Sequence, residues 1–90
     1  MKKSIWKFQL EVLDMQEVQM PKGAKILTAQ AQGDIPCLWA EVDAEEKVME
    51  IRTIEIIGTG HTVEDANRQY IGTVQLYLGA FIWHIYELVK

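Results

Sequence analysis

From Tyr70 to Tyr86 the chain carries no Asp, Glu, Lys or Arg, and that run constrains what the rest can fold into. A membrane-spanning helix needs roughly 20 predominantly apolar residues. This stretch is shorter and holds Gly72, Gln75, Gly79 and His84, so a membrane span is rejected. The pattern alternates instead. Val74, Leu76 and Leu78 fall on one side of residues 71–78, and Phe81, Trp83 and Ile85 on one side of residues 80–88. Gly79-Ala80 between them reads as the tight turn of a terminal β-hairpin. The opposite faces hold Ile71, Tyr77, Ile82, His84 and Tyr86, which are themselves apolar or amphipathic. A chain of 90 residues has difficulty covering both faces of such a hairpin. Tyr77, Ile82, His84 and Tyr86 are therefore expected at the interface of a homo-oligomer.

The preceding chain repeats the same two-residue period. Trp6, Phe8, Leu10 and Val12 alternate with Lys7, Gln9 and Glu11, the signature of a half-buried antiparallel strand. Asp14-Met15-Gln16 reads as a turn, 17–20 as a short strand, and Pro21-Lys22-Gly23 as a break. Residues 24–32 and 35–42 form two strands around Gly33-Asp34, a two-residue hairpin signal with glycine first. Pro36 is tolerated at a strand start or edge. After a charged loop over 43–47, residues 48–57 form the longest strand, with Ile51, Ile54, Ile56 and Ile57 on both its faces. Thr62 can cap a helix, and Glu64 and Asp65 suit its positive end, so a short helix is expected over 62–69. At about 1.5 Å per residue it is too short for a crossover between parallel strands, which excludes a Rossmann-like unit. The expected fold is mainly β: one domain over residues 1–90, a small antiparallel sheet, sandwich or barrel-like structure of about seven strands with one short helix.

Charge and cysteine content narrow the partners. The net charge is −4 with no dense basic block, which argues against binding long nucleic acid. Cys37 is the one cysteine, so no internal disulfide forms and a reducing, cytoplasmic home is favoured. The start, Met1-Lys2-Lys3-Ser4, lacks the continuous apolar region of a signal peptide after it. Cys37 has no activating neighbour in sequence and reads as a core thiol.

Gly58-Thr59-Gly60-His61 closes the longest strand and is the first place to look for a ligand. It resembles half of a dinucleotide fingerprint, but Val63 stands where the third glycine would be, and no Walker lysine follows. Its N–H groups, the Thr59 hydroxyl and the His61 ring suit a phosphate or carboxylate, with Arg68 and Tyr70 following and Arg52 upstream. The plainer alternative is a glycine turn that ends a strand, and both readings stay open. Among His61, His84, Cys37 and Asp65 only His61 and Asp65, four apart, have zinc-ligand spacing, and structural zinc takes four ligands, so no metal and no cofactor is expected. Trp6, Trp39, Trp83, Tyr70 and Tyr77 read either as an aromatic clamp for a nucleobase or as core. His84 is expected to pair with Glu87 or a tyrosine.

Several fragments together resemble a family of short phage and prophage proteins, carried as a domain of unknown function. They are residues 20–27 (Met20, Pro21, Lys22, Gly23, Ala24, Lys25, Ile26, Leu27), Pro36-Cys37-Leu38-Trp39-Ala40, Gly58-Thr59-Gly60-His61, Tyr70-Ile71-Gly72-Thr73 and Trp83-His84-Ile85-Tyr86-Glu87. The resemblance implies a viral or mobile-element origin and expression inside a bacterial cell, and it supplies no catalytic residues to carry over. Phage proteins of this size include oligomers that blunt host defence by sequestering nucleotide signals, an analogy of size and context. With no carboxylate pair, triad or metal set in view, an enzyme is not expected. Two roles remain. The first is a homo-oligomer capturing a small anionic nucleotide near Gly58, Thr59, Gly60, His61, Arg68 and Tyr70. The alternative is a protein–protein module, either an inhibitor of a host protein or an accessory phage component.

Overall fold

The computed structural model describes residues 2–89 and consists of seven antiparallel strands in two sheets. They are β1 (Lys3–Gln9), β2 (Met15–Pro21), β3 (Lys25–Gln32), β4 (Ile35–Asp43), β5 (Met49–Gly58), β6 (Arg68–Leu76) and β7 (Phe81–Leu88). One sheet runs β1-β4-β3 and the other β2-β5-β7-β6. The two sheets face each other as a sandwich and do not close into a barrel. Among the described residues there is no helix.

The period-two pattern builds the core directly. Ala29, Leu38, Ala40 and Val42 of the first sheet meet Met20, Ile54, Ile56, Val74, Leu76 and Ile85 of the second, all buried. Gln32 pairs with Ile35 around Gly33-Asp34, and Gly33 has φ 63°, the left-handed conformation that the turn requires. The sheets come closest where β3 lies against β6. There a Cβ on Gly72 would stand 2.9 Å from the carbonyl oxygen of Ala29, so only glycine permits that approach. Both strands carry a register irregularity beside this contact, between Ile26 and Thr28 in β3 and between Tyr70 and Gly72 in β6.

Three local expectations are corrected. No helix forms over 62–69: residues 61–67 have no regular structure, and Arg68 and Gln69 pair with Leu88 and Glu87 in the sheet. An eight-residue helix pays nucleation without enough bonds to recover it, and Val63, exposed to solvent, gives it no apolar face to bury. The first strand ends at Gln9, because the chain must cross between sheets. Leu10 N donates to Pro36 O on one side, Ile56 N to Asp14 O on the other, and Val12 and Leu13 are left exposed between them. Met15, expected in a turn, pairs with Glu55 and begins β2.

Candidate functional site

The Gly58–His61 turn is built around its own side chains. Ala-like volume at Gly58 is taken by the His61 ring, whose nearest atom would lie 3.0 Å from a Cβ there. His61 N donates to Gly58 O at 3.1 Å, and Gly60 supplies φ 85°. Thr59 turns to the opposite side of the sheet, where its Oγ1 lies 2.7 Å from His84 Nε2. His84 Nδ1 lies 3.0 Å from Thr73 Oγ1, which lies 2.6 Å from the Tyr70 hydroxyl. His84 therefore pairs with two threonines and not with Glu87 or a tyrosine, and both its ring nitrogens are occupied. Tyr70 also packs edge-on against Tyr86, with ring centroids 5.4 Å apart.

The two arginines are committed elsewhere. Arg68 Nε donates to Glu55 at 2.8 Å and its Nη1 to Glu64 O at 2.7 Å. Hydrogen bonding to Glu55 holds its guanidinium pKa above the ordinary value. Arg52 lies on the inner face, where its Nε and Nη2 both donate to Glu87 and its Nη1 donates to Ala24 O at 2.8 Å. Hydrogen bonding to Glu87 raises its pKa, against the opposing effect of burial. Arg52 thus ties the end of β7 to the turn before β3 and takes no part in the Gly58–His61 turn.

Two open clefts flank these residues. One, of about 420 Å³, lies under segment 61–66, and its lining includes Asp14, Glu55, Glu64 and Asp65 beside His61 and Arg68. With Arg68 paired to Glu55, the three further carboxylates disfavour an anion. The other, of about 430 Å³, opens where β3 and β6 part, beside Tyr70 and the Arg52–Glu87 pair. The structure thus brings His61 and Arg68 to one cleft and Tyr70 to the other, while Thr59 is joined to His84. Among the described residues no group of three or more His, Cys, Asp and Glu is arranged to hold a metal ion.

The feature that stands out is the end of the sandwich formed by the β3–β4 and β6–β7 turns. β6 stops at Leu76, and Tyr77 and Leu78, expected inside the strand, form the turn with φ 52° and 56°. Gly79 follows at φ 86°, and Ala80 N donates to Tyr77 O at 3.1 Å. Leu78 is fully exposed, at 108% of its reference surface, its neighbour Tyr77 (57%) and Phe81 (49%) are also exposed, and Ile35 (43%) is exposed at the start of β4 at the same end. Tyr77 meets Phe81 edge-on, and Phe81 lies parallel to Trp83, a row of rings leading from the tip toward the core. Of the expected interface residues, Tyr77 is at this tip and Ile82 is exposed beside it, whereas His84 and Tyr86 are half-buried and engaged with their own neighbours. No tryptophan is fully buried: Trp6 is exposed, and Trp39 and Trp83 are half-buried. Leu78, Phe81 and Ile35 were not legible as surface residues, since strand alternation places Leu78 and Phe81 on the buried side; the signal for a turn was Gly79 alone. Cys37 is buried and in no disulfide.

The chain belongs to a family described as a domain of unknown function (DUF7352), whose family model matches residues 1–90. No curated protein and no solved structure matches it.

Proposed function

We propose that this protein is a non-enzymatic protein–protein interaction module that works through the apolar end of its sandwich. The observation that carries this reading is Leu78, fully exposed at a left-handed backbone position in a turn with exposed Tyr77 and Phe81. A bulky side chain at positive φ costs free energy, and full exposure returns none of it within one chain. Such a residue is accounted for when another surface covers it. The resemblance to short phage and prophage proteins supplies the setting, a bacterial cytoplasm in which the module inhibits a host protein or serves as a phage accessory component.

Capture of a small anionic nucleotide as an anti-defence function is the second reading, favoured by the hydroxyl and imidazole groups of Thr59, His84, Thr73 and Tyr70 gathered on one face. In the structure those groups satisfy each other, and the arginines are paired with carboxylates, so the interaction reading is preferred. A photo-crosslinking residue at position 78, with one at exposed Lys47 as control, separates the two. Crosslinks to protein at 78 and not at 47 support the module. No protein adduct at 78, together with a thermal shift on the order of 10 °C with a cyclic dinucleotide that is lost in Thr59→Val, replaces it with ligand capture.

A further inference from the structure

We infer that the surface covering this apolar end is a second copy of the same chain, in a two-fold dimer that sets Leu78 of each copy against Tyr77 and Phe81 of the other. The inference rests on the interaction reading above and names its partner.

Charge is the first argument. The chain carries a net −4, so two copies repel unless they meet where charge is absent. In a two-fold contact the same patch serves both sides, and every unpaired charge near the axis meets its own copy. The hairpin turn sits inside the uncharged run from Tyr70 to Tyr86 with neutral Gln75 beside Gly79, while Gln32 of the β3–β4 turn accepts from the Lys7 ammonium at 2.6 Å. Asp34 at this end has one carboxylate oxygen engaged by the Tyr77 N–H at 2.8 Å, and Glu11 follows Leu10, which donates to Pro36 O, so these acids border a patch whose centre at Leu78 is uncharged. The opposite end of the sandwich is unsuited: it carries Lys2, Lys3, Lys22, Lys25, Lys47, Asp43, Glu46 and Glu50 around the strand ends.

Area is the second argument. Leu78 with half-exposed Tyr77 and Phe81 offers on the order of 300 Å² of apolar side chain, within the range of the largest patch on a typical monomer. A standard interface buries about 800 Å² per partner with a dry centre and a polar rim. The patch supplies that centre, and the neutral glutamines and the backbone of both turns supply the rim. Shape agrees: a protruding leucine stands beside flat rings, so each copy offers both the knob and the surface that receives it. The turn is also held in place from outside, because Asp34 belongs to the other sheet.

Sedimentation velocity over roughly 1–100 μM tests this, on the unaltered chain, Leu78→Asp, and Ile51→Asp as a control at an exposed residue on another face. The expected result is a concentration-dependent dimer for the unaltered chain and Ile51→Asp, and a monomer for Leu78→Asp, with association weakened at least about tenfold. Aspartate is tolerated at positive φ and the side chain is fully exposed, so folding is not at risk; an unchanged far-UV spectrum verifies it. A monomer throughout for the unaltered chain, or a dimer that survives Leu78→Asp, overturns the inference. In either case crosslinking from position 78 to a different protein leaves the interaction reading standing. Absence of any protein adduct removes both.

Discussion

The carboxylate of Asp34 accepts the backbone N–H of Tyr77 at 2.8 Å, joining the β3–β4 turn of one sheet to the β6–β7 turn of the other across 43 residues of chain. It is a polar link between the two turns, and it holds the segment that presents Leu78. Asp34→Ala is expected to cost about 1 kcal/mol in urea unfolding and to weaken self-association. Amide exchange at Tyr77 reads the same bond directly: fast exchange in the unaltered chain would contradict it.

Gly72→Ala tests how closely the sheets approach. Sequence propensity alone favours alanine over glycine in a strand. The new Cβ, however, would stand 2.9 Å from Ala29 O, a backbone atom that cannot rotate away. The expected result is destabilisation by about 1–3 kcal/mol, the sign opposite to propensity. A neutral or raised unfolding midpoint would show that β3 and β6 are further apart.

Arg52 and Glu87 are a mostly buried pair, with side chains 17% and 12% exposed. Arg52→Met leaves the Glu87 carboxylate uncompensated and frees Ala24 O, for an expected loss of about 2–3 kcal/mol. The double variant Arg52→Met with Glu87→Met recovers most of it, since the charge that needed a partner is gone. A double variant as unstable as the sum of the two single ones refutes the pairing.

Acid sensitivity has a local source at Asp43. Backbone N–H groups of Glu45 and Lys2 donate to its carboxylate and hold its pKa below the ordinary aspartate value. A folded pKa below the unfolded one gives stability that is present above about pH 3.9 and lost as pH falls through the folded value. Asp43→Asn is expected to flatten the stability profile below about pH 4 while leaving it unchanged in slope near neutrality. Stability measured by chemical unfolding between pH 2 and 7 checks the sign.

Leu78→Asn separates strain from docking. Leucine at φ 56° is disfavoured by roughly 1–2 kcal/mol, whereas asparagine accepts that conformation. Dilute, monomeric Leu78→Asn is expected to melt several degrees higher than the unaltered chain, while its self-association falls. An equal or lower melting temperature at dilution would remove the strain argument.

How much of this was legible follows from the range of each interaction. Strand number and the Gly33-Asp34 hairpin are set by a two-residue period and by which residues accept positive φ, both properties of a few consecutive residues, whereas β5, expected to be covered on both faces, buries Ile54 and Ile56 and leaves Ile51 exposed. The failed helix over 62–69 had a legitimate local signal in Thr62, Glu64 and Asp65, but Arg68 found Glu55 and the β7 backbone, partners that no window of sequence contains. The candidate site diverged for the same reason. Thr59 and His61, neighbours in the chain, go to opposite faces of the sheet, and Thr59 meets His84 from a strand 25 residues away. Sequence by itself determined that the chain forms a seven-stranded antiparallel protein with surplus apolar surface in its terminal hairpin. Only tertiary structure decided where that surplus emerges. The β6–β7 turn begins two residues early, at Tyr77, where Asp34 of the other sheet accepts the backbone N–H, and that shift carries Leu78 from an expected inward position to the tip, in full contact with solvent.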